Sequence, residues 1–588
     1  MSEILFLRLL QAEDKETALA EAVMAVRTGE AVKPPIYAVD PEAFGKVPGS
    51  PFAYWVSDRI RDLFQELPPF EGDGRTVKQG LATADDCRFV RACWEVAPER
   101  VVTGTAQTTP EEFRAQTFQG KKWVPFAKGG AYSPYYADLH LLVNWENDGA
   151  EIKAYVDPQT RRLMSRPQNT DWYFRPGLTW PRRTNGFSIR VLPAGAIFGD
   201  KGPAAFDDSD DWQSLLALCG ILNTQSFYLF VQALLGRVSL AQSYEVGLMQ
   251  SIPVPPLDKG TVAELARTAR KAAVLMYRLD MADETSHAFV LPGLLQVHGR
   301  TLTERMDAWS AALAGMMSEL GRLRKELDDA AFRLYGISPE EATVWSGGIA
   351  DEADAPDAAE EEDDAEDQQE RDLGREVASL LSYALGCAFG RWDIQTVPPV
   401  GTPEEFDPFA PLAPCARGAL TNARRLPAGP HEVPEGYPIP IQWDGILPDD
   451  EGHPADVVSK VRTVLAHLFG DWSAVEREAC QALGVRVLRT FFSSQFFPLH
   501  IRQYTRSHRK APIYWLLQSS RKSYGLWLYY PRLNRDTLYV ALRDYVEPKL
   551  AHEQDVLARL KAEYARARDG GERSARSLAR KVEAQEDL

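Results

Sequence analysis

Between residues 158 and 199 the chain carries seven arginines, Arg161, Arg162, Arg166, Arg175, Arg182, Arg183 and Arg190, against one carboxylate, Asp171. Trp172, Tyr173, Phe174 and Trp180 sit among them, with Asn169, Thr170, Thr184 and Asn185 as neutral hydrogen-bonding side chains. Guanidinium forks grip phosphates, and arginine, amide and ring groups read or stack on bases, so this mixture points to nucleic-acid binding. The competing reading is a β-rich domain whose rings are core and whose arginines are a solvated face. A second concentration lies between residues 479 and 535: Arg486, Arg489, Arg502, Arg506, Arg509, Lys510, Arg521, Lys522, Arg532 and Arg535, with no Asp or Glu. Tyr504, Tyr514, Trp515, Tyr524, Trp527, Tyr529 and Tyr530 interleave, and 524–530 alternates as a strand with one ring-bearing face. His500 and His508 are assigned to this basic surface. The residues expected to touch DNA are Lys128, Tyr132, Asn144, Arg175, Trp180, Arg182 and Arg183 in the first lobe. In the second they are Arg506, Arg509, Lys510, Arg521 and Lys522.

Catalytic chemistry is harder to find. An adenine amino-methyltransferase needs an Asn/Asp-Pro-Pro-aromatic turn and a glycine-rich strand-loop-helix for its methyl donor. Leu67-Pro68-Pro69-Phe70 has leucine where a hydrogen-bonding side chain is required, and Gly72-Asp73-Gly74 follows no predicted strand and opens no helix. Glu151-Ile152-Lys153, with Asp138 and Asp148 upstream, has the pattern of a metal-dependent nuclease, but that tripeptide is common. The six cysteines show no paired spacing, which argues for reduced thiols, mainly in cores, rather than a zinc site or a disulfide set. No catalytic, cofactor-binding or metal residue is assigned.

These residues need a scaffold of several parts. The length of 588 residues predicts roughly three or four domains. The fold class is α+β, multidomain. Residues 1–75 read as a helical opening segment with helices ended by Gly29 and by Pro68-Pro69, and 76–257 as a mixed, β-rich target-recognition domain. Within the latter, Asn147-Asp148-Gly149 signals a turn, and 187–198 reads as a hairpin folded at Pro193-Ala194-Gly195. Asp210 or Asp211 caps an apolar helix to about Leu235. Residues 258–345 form a spacer of two long antiparallel helices, the first opened by a capping box, Thr261 to Glu264. An acidic disordered linker, 346–372, follows: residues 351–372 hold thirteen carboxylates and one arginine, which accounts for 12 of the net −17. Residues 373–568 form a second, basic α+β domain with helices at 456–469 and 473–483, and 569–588 a charged tail that frays. No apolar run reaches the roughly 18 residues a bilayer demands, and the N-terminus lacks a signal pattern, so a cytoplasmic protein without a membrane role is expected.

Long stretches carry a resemblance. WVPFAKGGAYSPYYADLHLLVNWENDGAEIK, PQNTDWYFRPGLTWPRRT, VLPAGAIFGDKGP, ILNTQSFYLFVQALL and SYEVGLMQSIPVPP are similar to the target-recognition region of large bacterial adenine-specific DNA methyltransferases. These are the PglX type of BREX phage-defence systems and the related DISARM methylase, themselves similar to fused type II restriction-modification enzymes. LDDAAFRLYGIS resembles their spacer helix, and GRWD, GYPIPIQWDGILPDD, SHRKAPIYWLLQSSRKSYGLWLYY and LNRDTLYVALRDYVEPKL their C-terminal part. The resemblance implies the specificity portion of an enzyme that moves a methyl group from S-adenosylmethionine to adenine N6. The methyl-donor domain that precedes this region in the family is expected to be missing, leaving a split subunit or a fragment. The donor is then expected on a separate catalytic partner, double-stranded DNA is the expected ligand, and other defence proteins are further partners. The alternatives are a protein-docking subunit of a defence complex without DNA binding of its own, and a fragment of a fused type II restriction-modification enzyme.

Overall fold

A computed structural model describes residues 3–9, 12, 14–29, 36–184, 186–235, 243–338, 372–397, 406–507, 509–570 and 573–586. The acidic run up to 371, Asn185 and His508 lie outside the described residues. The architecture is mixed α and β, with several small sheets among many helices. Asp14 accepts the amides of Glu16 and Thr17 to open α1 (Lys15–Thr28), and Gly29, left-handed, closes it. Ahead of it β1 (Ile4–Leu7) pairs antiparallel with β2 (Ile36–Val39), and α2 (Asp58–Glu66) follows, capped by Ser57.

Eight strands build the first lobe: β3 (Arg75–Lys78), β4 (Val90–Ala92), β5 (Trp123–Ala127), β6 (Leu141–Asn144), β7 (Gly177–Thr179), β8 (Arg190–Leu192), β9 (Ile197–Phe198) and β10 (Ala204–Asp207). They form two four-stranded sheets, ordered β3-β10-β7-β8 and β4-β6-β5-β9. Phe126, Phe198 and Phe206 from both sheets meet Trp145, Tyr173 and Phe174 in one buried cluster. The expected hairpin over 187–198 is not one. β8 pairs with β7, whereas β9 runs parallel to β5 in the other sheet. The turn amides of Ala194 and Gly195 bond outward to Phe409 and Phe174 carbonyls, so the chain crosses between sheets there. The turn expected at Asn147-Asp148-Gly149 falls inside a helical segment. All three residues are left-handed inside the helical segment Glu146–Lys153, and a Cβ on Gly149 would lie 2.8 Å from the Trp145 ring.

Asp211 caps α3 (Trp212–Leu222), which breaks at Asn223-Thr224 and resumes as α4 (Gln225–Leu235) at a 67° bend. Among the described residues no single helix is long and apolar enough to cross a membrane; this bent pair passes the same test jointly, but most of its residues are buried in the protein. The spacer helices are α5 (Lys259–Asp280) and α6 (Leu302–Tyr335), which pack on each other and on α3. α5 starts before the expected capping box, because Asp258 accepts the Thr261 amide. Then come α7 (Leu373–Ala388), β11 (Ile446–Asp449), α8 (Val457–Phe469), α9 (Trp472–Ala482) and α10 (Phe496–Gln503). β12 (Thr505–Arg506), β13 (Arg509–Lys510), β14 (Tyr514–Gln518) and β15 (Gly525–Tyr529) follow, with β15 central in the sheet β11-β15-β14. That position explains why β15 is buried on both faces rather than alternating. The tail does not fray at once: α11 (Glu547–Asp569) and α12 (Ala575–Glu586) pack as a helical hairpin. A single large cluster of buried side chains runs from Trp55 through α3, α6 and α7 to Trp527.

Candidate nucleic-acid interface

Three loops of the first lobe converge. Residues 128–133 follow β5, residues 181–188 precede β8, and residues 199–203 link β9 to β10. Close approach between them depends on glycine: a Cβ on Gly202 would meet the Gly129 nitrogen at 2.6 Å, and one on Gly129 (φ +99°) the Lys201 carbonyl at 2.8 Å. The Arg182 amide donates to the Lys201 carbonyl at 2.8 Å, and the Ser133 amide to Ser188 Oγ at 3.1 Å. The Tyr132 ring lies against Gly186 and is half exposed, and Arg183 and Lys201 are exposed on the neighbouring loops. The result is an exposed ring and two exposed cations on three loops that meet over the two sheets.

Beneath the first loop lies Arg190. Its guanidinium is buried, donates to the carbonyls of Gly129 and Ala131, and meets no carboxylate among the described residues. Burial pushes its pKa down to about 10. This arginine, which by composition belongs to the basic segment, holds the loop that presents Tyr132.

The other first-lobe candidates are placed differently. Trp180 is wholly enclosed against Phe187, and its indole donates to the Tyr244 carbonyl at 2.9 Å. Asn144 is buried in β6 and donates to Glu151 at 2.7 Å. Arg175 stacks 4.4 Å from the Trp172 ring centre and is bonded to Asp210 at 2.8 Å. Lys128 is bonded to Asp86, and Arg182 lies 3.8 Å from Glu245, so both are at the surface loops but partnered. Arg183 and Tyr132 are the first-lobe candidates that face solvent. Lys201 and Arg190 were missed, because one lies outside the arginine-rich segment and the other's role depends on a loop 60 residues earlier.

In the second lobe Lys510, Arg521 and Lys522 are exposed. Arg509 and Arg506 turn inward to the rest of the protein. Arg509 bonds Glu95 with both prongs, Nη2 to Oε1 at 2.8 Å, and Arg506 Nη2 donates to Thr285 Oγ1 at 2.8 Å, with Asp283 at 3.6 Å. Trp94 donates to the Ala511 carbonyl at 2.8 Å and packs edge-on against Tyr504. A buried ion pair joins the first lobe to the segment after α5: Asp138 accepts from the His287 ring at 2.9 Å and from its amide at 3.0 Å. Burial opposes both charges, yet Asp138 is held below the carboxylate range by His287 and His140, and Asp138 raises His287 well above the usual imidazole value. His500 is not part of a basic surface. It is buried, its Nε2 accepts the amides of Ile513 and Tyr514 at 3.1 Å, and burial beside Arg391 holds it neutral.

The nuclease-like carboxylates separate as well. Asp148 is bonded to Arg114 and Lys153, Glu151 to Arg88 and Asn144, and Asp138 to His287. Among the described residues no group of three or more His, Cys, Asp or Glu gathers as a ligand set. The Gly72-Asp73-Gly74 turn does not fit a methyl donor: Gly72 and Gly74 frame a tight turn into β3 that opens no helix whose N-terminus could hold a charged cofactor.

No family model matches the chain. It is similar to the adenine-specific methyltransferase PglX of Lacticaseibacillus casei, 26% identical over 546 residues, and to the adenine-specific methyltransferase BrxX of Escherichia coli O9:H4, 26% identical over 548. Each alignment covers 90% of the chain, in agreement with the resemblance above. The chain spans about two-fifths of the length of these relatives, 40% and 41%.

Proposed function

We propose that this chain is the DNA-contacting, sequence-selecting portion of a cytoplasmic adenine-N6 DNA methyltransferase of a phage-defence system. The methyl donor and the reaction belong to a catalytic part other than these residues. The observation that carries the reading is the meeting of the three loops through their backbones, with Tyr132, Arg183 and Lys201 exposed one on each loop. The names of the two similar proteins supply the reaction class. Arg183 and Lys201 neutralise phosphates or meet guanine edges in the major groove, and the Tyr132 ring stacks on a base or sugar. Extruding an adenine for chemistry costs a few kcal/mol, which contacts on both sides of the target offset. Lys510, Arg521 and Lys522 extend the cationic surface on the second lobe.

Selection of bound duplexes from a random library tests this. An enriched motif containing adenine, lost on Tyr132→Ala with Arg183→Ala, is expected; recovery of unselected sequence contradicts sequence selection. A second reading, a protein-docking subunit, draws on Leu538, Tyr539 and Leu542, which are exposed at 67%, 61% and 48%. It predicts a partner protein held by that patch with no dependence on DNA.

A further inference from the structure

The helical hairpin of α11 and α12 carries a surface that the loop site does not use. α12 packs on α11 through a face that includes Leu578 and Val582, secured by an ion pair between Lys561 and Glu586 at 2.5 Å and by a bond from Gln585 to Glu553. The opposite face of α12 reads Arg576, Ser577, Arg580, Lys581 and Ala584, at helical spacings of one, four, five and eight, and these five with Arg573, in the turn before the helix, line one shallow groove. All four cations are exposed, and none pairs with a carboxylate among the described residues; the exposed Glu583 follows Arg580 by three residues. Small residues at 577 and 584 leave the backbone open to close approach. The three helical cations, Arg576, Arg580 and Lys581, span about 7.5 Å of helix axis.

We infer that this face binds the phosphate backbone of duplex DNA, outside the base-reading loops. The inference rests on the DNA-contacting reading above and deepens it, by adding a sequence-independent clamp contact on the hairpin. Two features favour nucleic acid over an anionic membrane. A membrane-surface helix pairs its cations with large apolar residues that enter the lipid, whereas Leu578 and Val582 are turned to α11 here. The groove itself holds serine and alanine in place of leucine or tryptophan, which suits a charged ridge laid along it.

The test is duplex binding by the full chain across a salt series, for the unsubstituted protein, for Arg576→Ala/Arg580→Ala/Lys581→Ala, and for Arg183→Ala. Because these side chains are exposed, both variants are expected to melt as the parent does. The triple change is expected to lower the slope of log affinity against log salt by about two to three, and to weaken all sequences alike by about tenfold or more. A slope unchanged by the triple change while Arg183→Ala reduces it overturns this inference and leaves the loop site standing. No binding by the unsubstituted chain at low salt overturns both. Capture by vesicles of anionic phospholipid that the triple change abolishes, with DNA binding unaltered, assigns the face to a membrane and also overturns it.

Discussion

Arg509 grips Glu95 with both guanidinium prongs, joining residues 414 positions apart across the seam between the two lobes. Each partner is mostly buried, and Glu95 also accepts the Ala92 amide at 2.7 Å, so the pair is fixed before any ligand arrives. A charge that local composition assigns to an outer DNA-binding face is spent on joining lobes. In a double-mutant cycle, Arg509→Ala and Glu95→Ala are each expected to lower stability, with a coupling of about 1–2 kcal/mol read from urea unfolding. Strict additivity would show that the contact does not hold the seam.

Trp180 and Arg183 stand three residues apart and are expected to behave oppositely. Trp180→Ala empties a fully buried site and should cost about 3–5 kcal/mol of stability. Arg183→Ala, exposed, should stay within about 0.5 kcal/mol of the parent and weaken DNA binding. Paired thermal melts and binding curves check this; a stable Trp180→Ala protein that loses DNA would place the ring on the nucleic acid.

Arg190 sets the first loop from below. Arg190→Met keeps the apolar bulk but leaves the carbonyls of Gly129 and Ala131 without their donor. Removing a buried unpaired charge offsets part of that loss, so stability should shift by less than about 2 kcal/mol while the loop loosens. DNA affinity measured by anisotropy is then expected to fall about tenfold, on the scale of about 1.4 kcal/mol per decade. Unchanged affinity would detach the loop from recognition.

Asp328 on α6 accepts the Gln225 amide at 2.7 Å at the start of α4, and burial raises its pKa to about 6. The folded state therefore holds its proton more tightly than the unfolded chain does. That contribution is complete below about pH 4 and is lost as pH rises through 6, by at most about 3 kcal/mol. Asp328→Asn keeps an acceptor without the charge and should flatten this fall, so that the variant gains on the parent between pH 4.5 and 7.5. Equal melting differences at both pH values would refute the assignment.

The parts legible in the sequence were those decided locally. Asp14, Asp211 and Gly29 cap helices where their side chains and φ preferences put them, and the periodicity of α5 and α6 emerges as two packed helices. The parts that were not legible depend on partners far away in sequence. The stretch 479–535 lacks carboxylates because Asp449 and Asp456 supply them to Arg489, Glu95 to Arg509 and Asp283 to Arg506. Trp180, Asn144 and His500 read as surface chemistry from composition, yet all three are buried, with the Trp180 indole, the Asn144 amide and His500 Nε2 bonded inside the core. At the loop site, composition finds Arg183 and Tyr132, but the contact of Gly129 with Lys201 that unites the loops is a tertiary fact.

The most direct test of the central claim is binding of the purified chain to duplex DNA as salt is raised, with and without Arg183→Ala. The account predicts tight binding at low salt, log affinity falling linearly with log salt, and a slope smaller by about one in the variant. A folded chain that binds no duplex at low salt would contradict it.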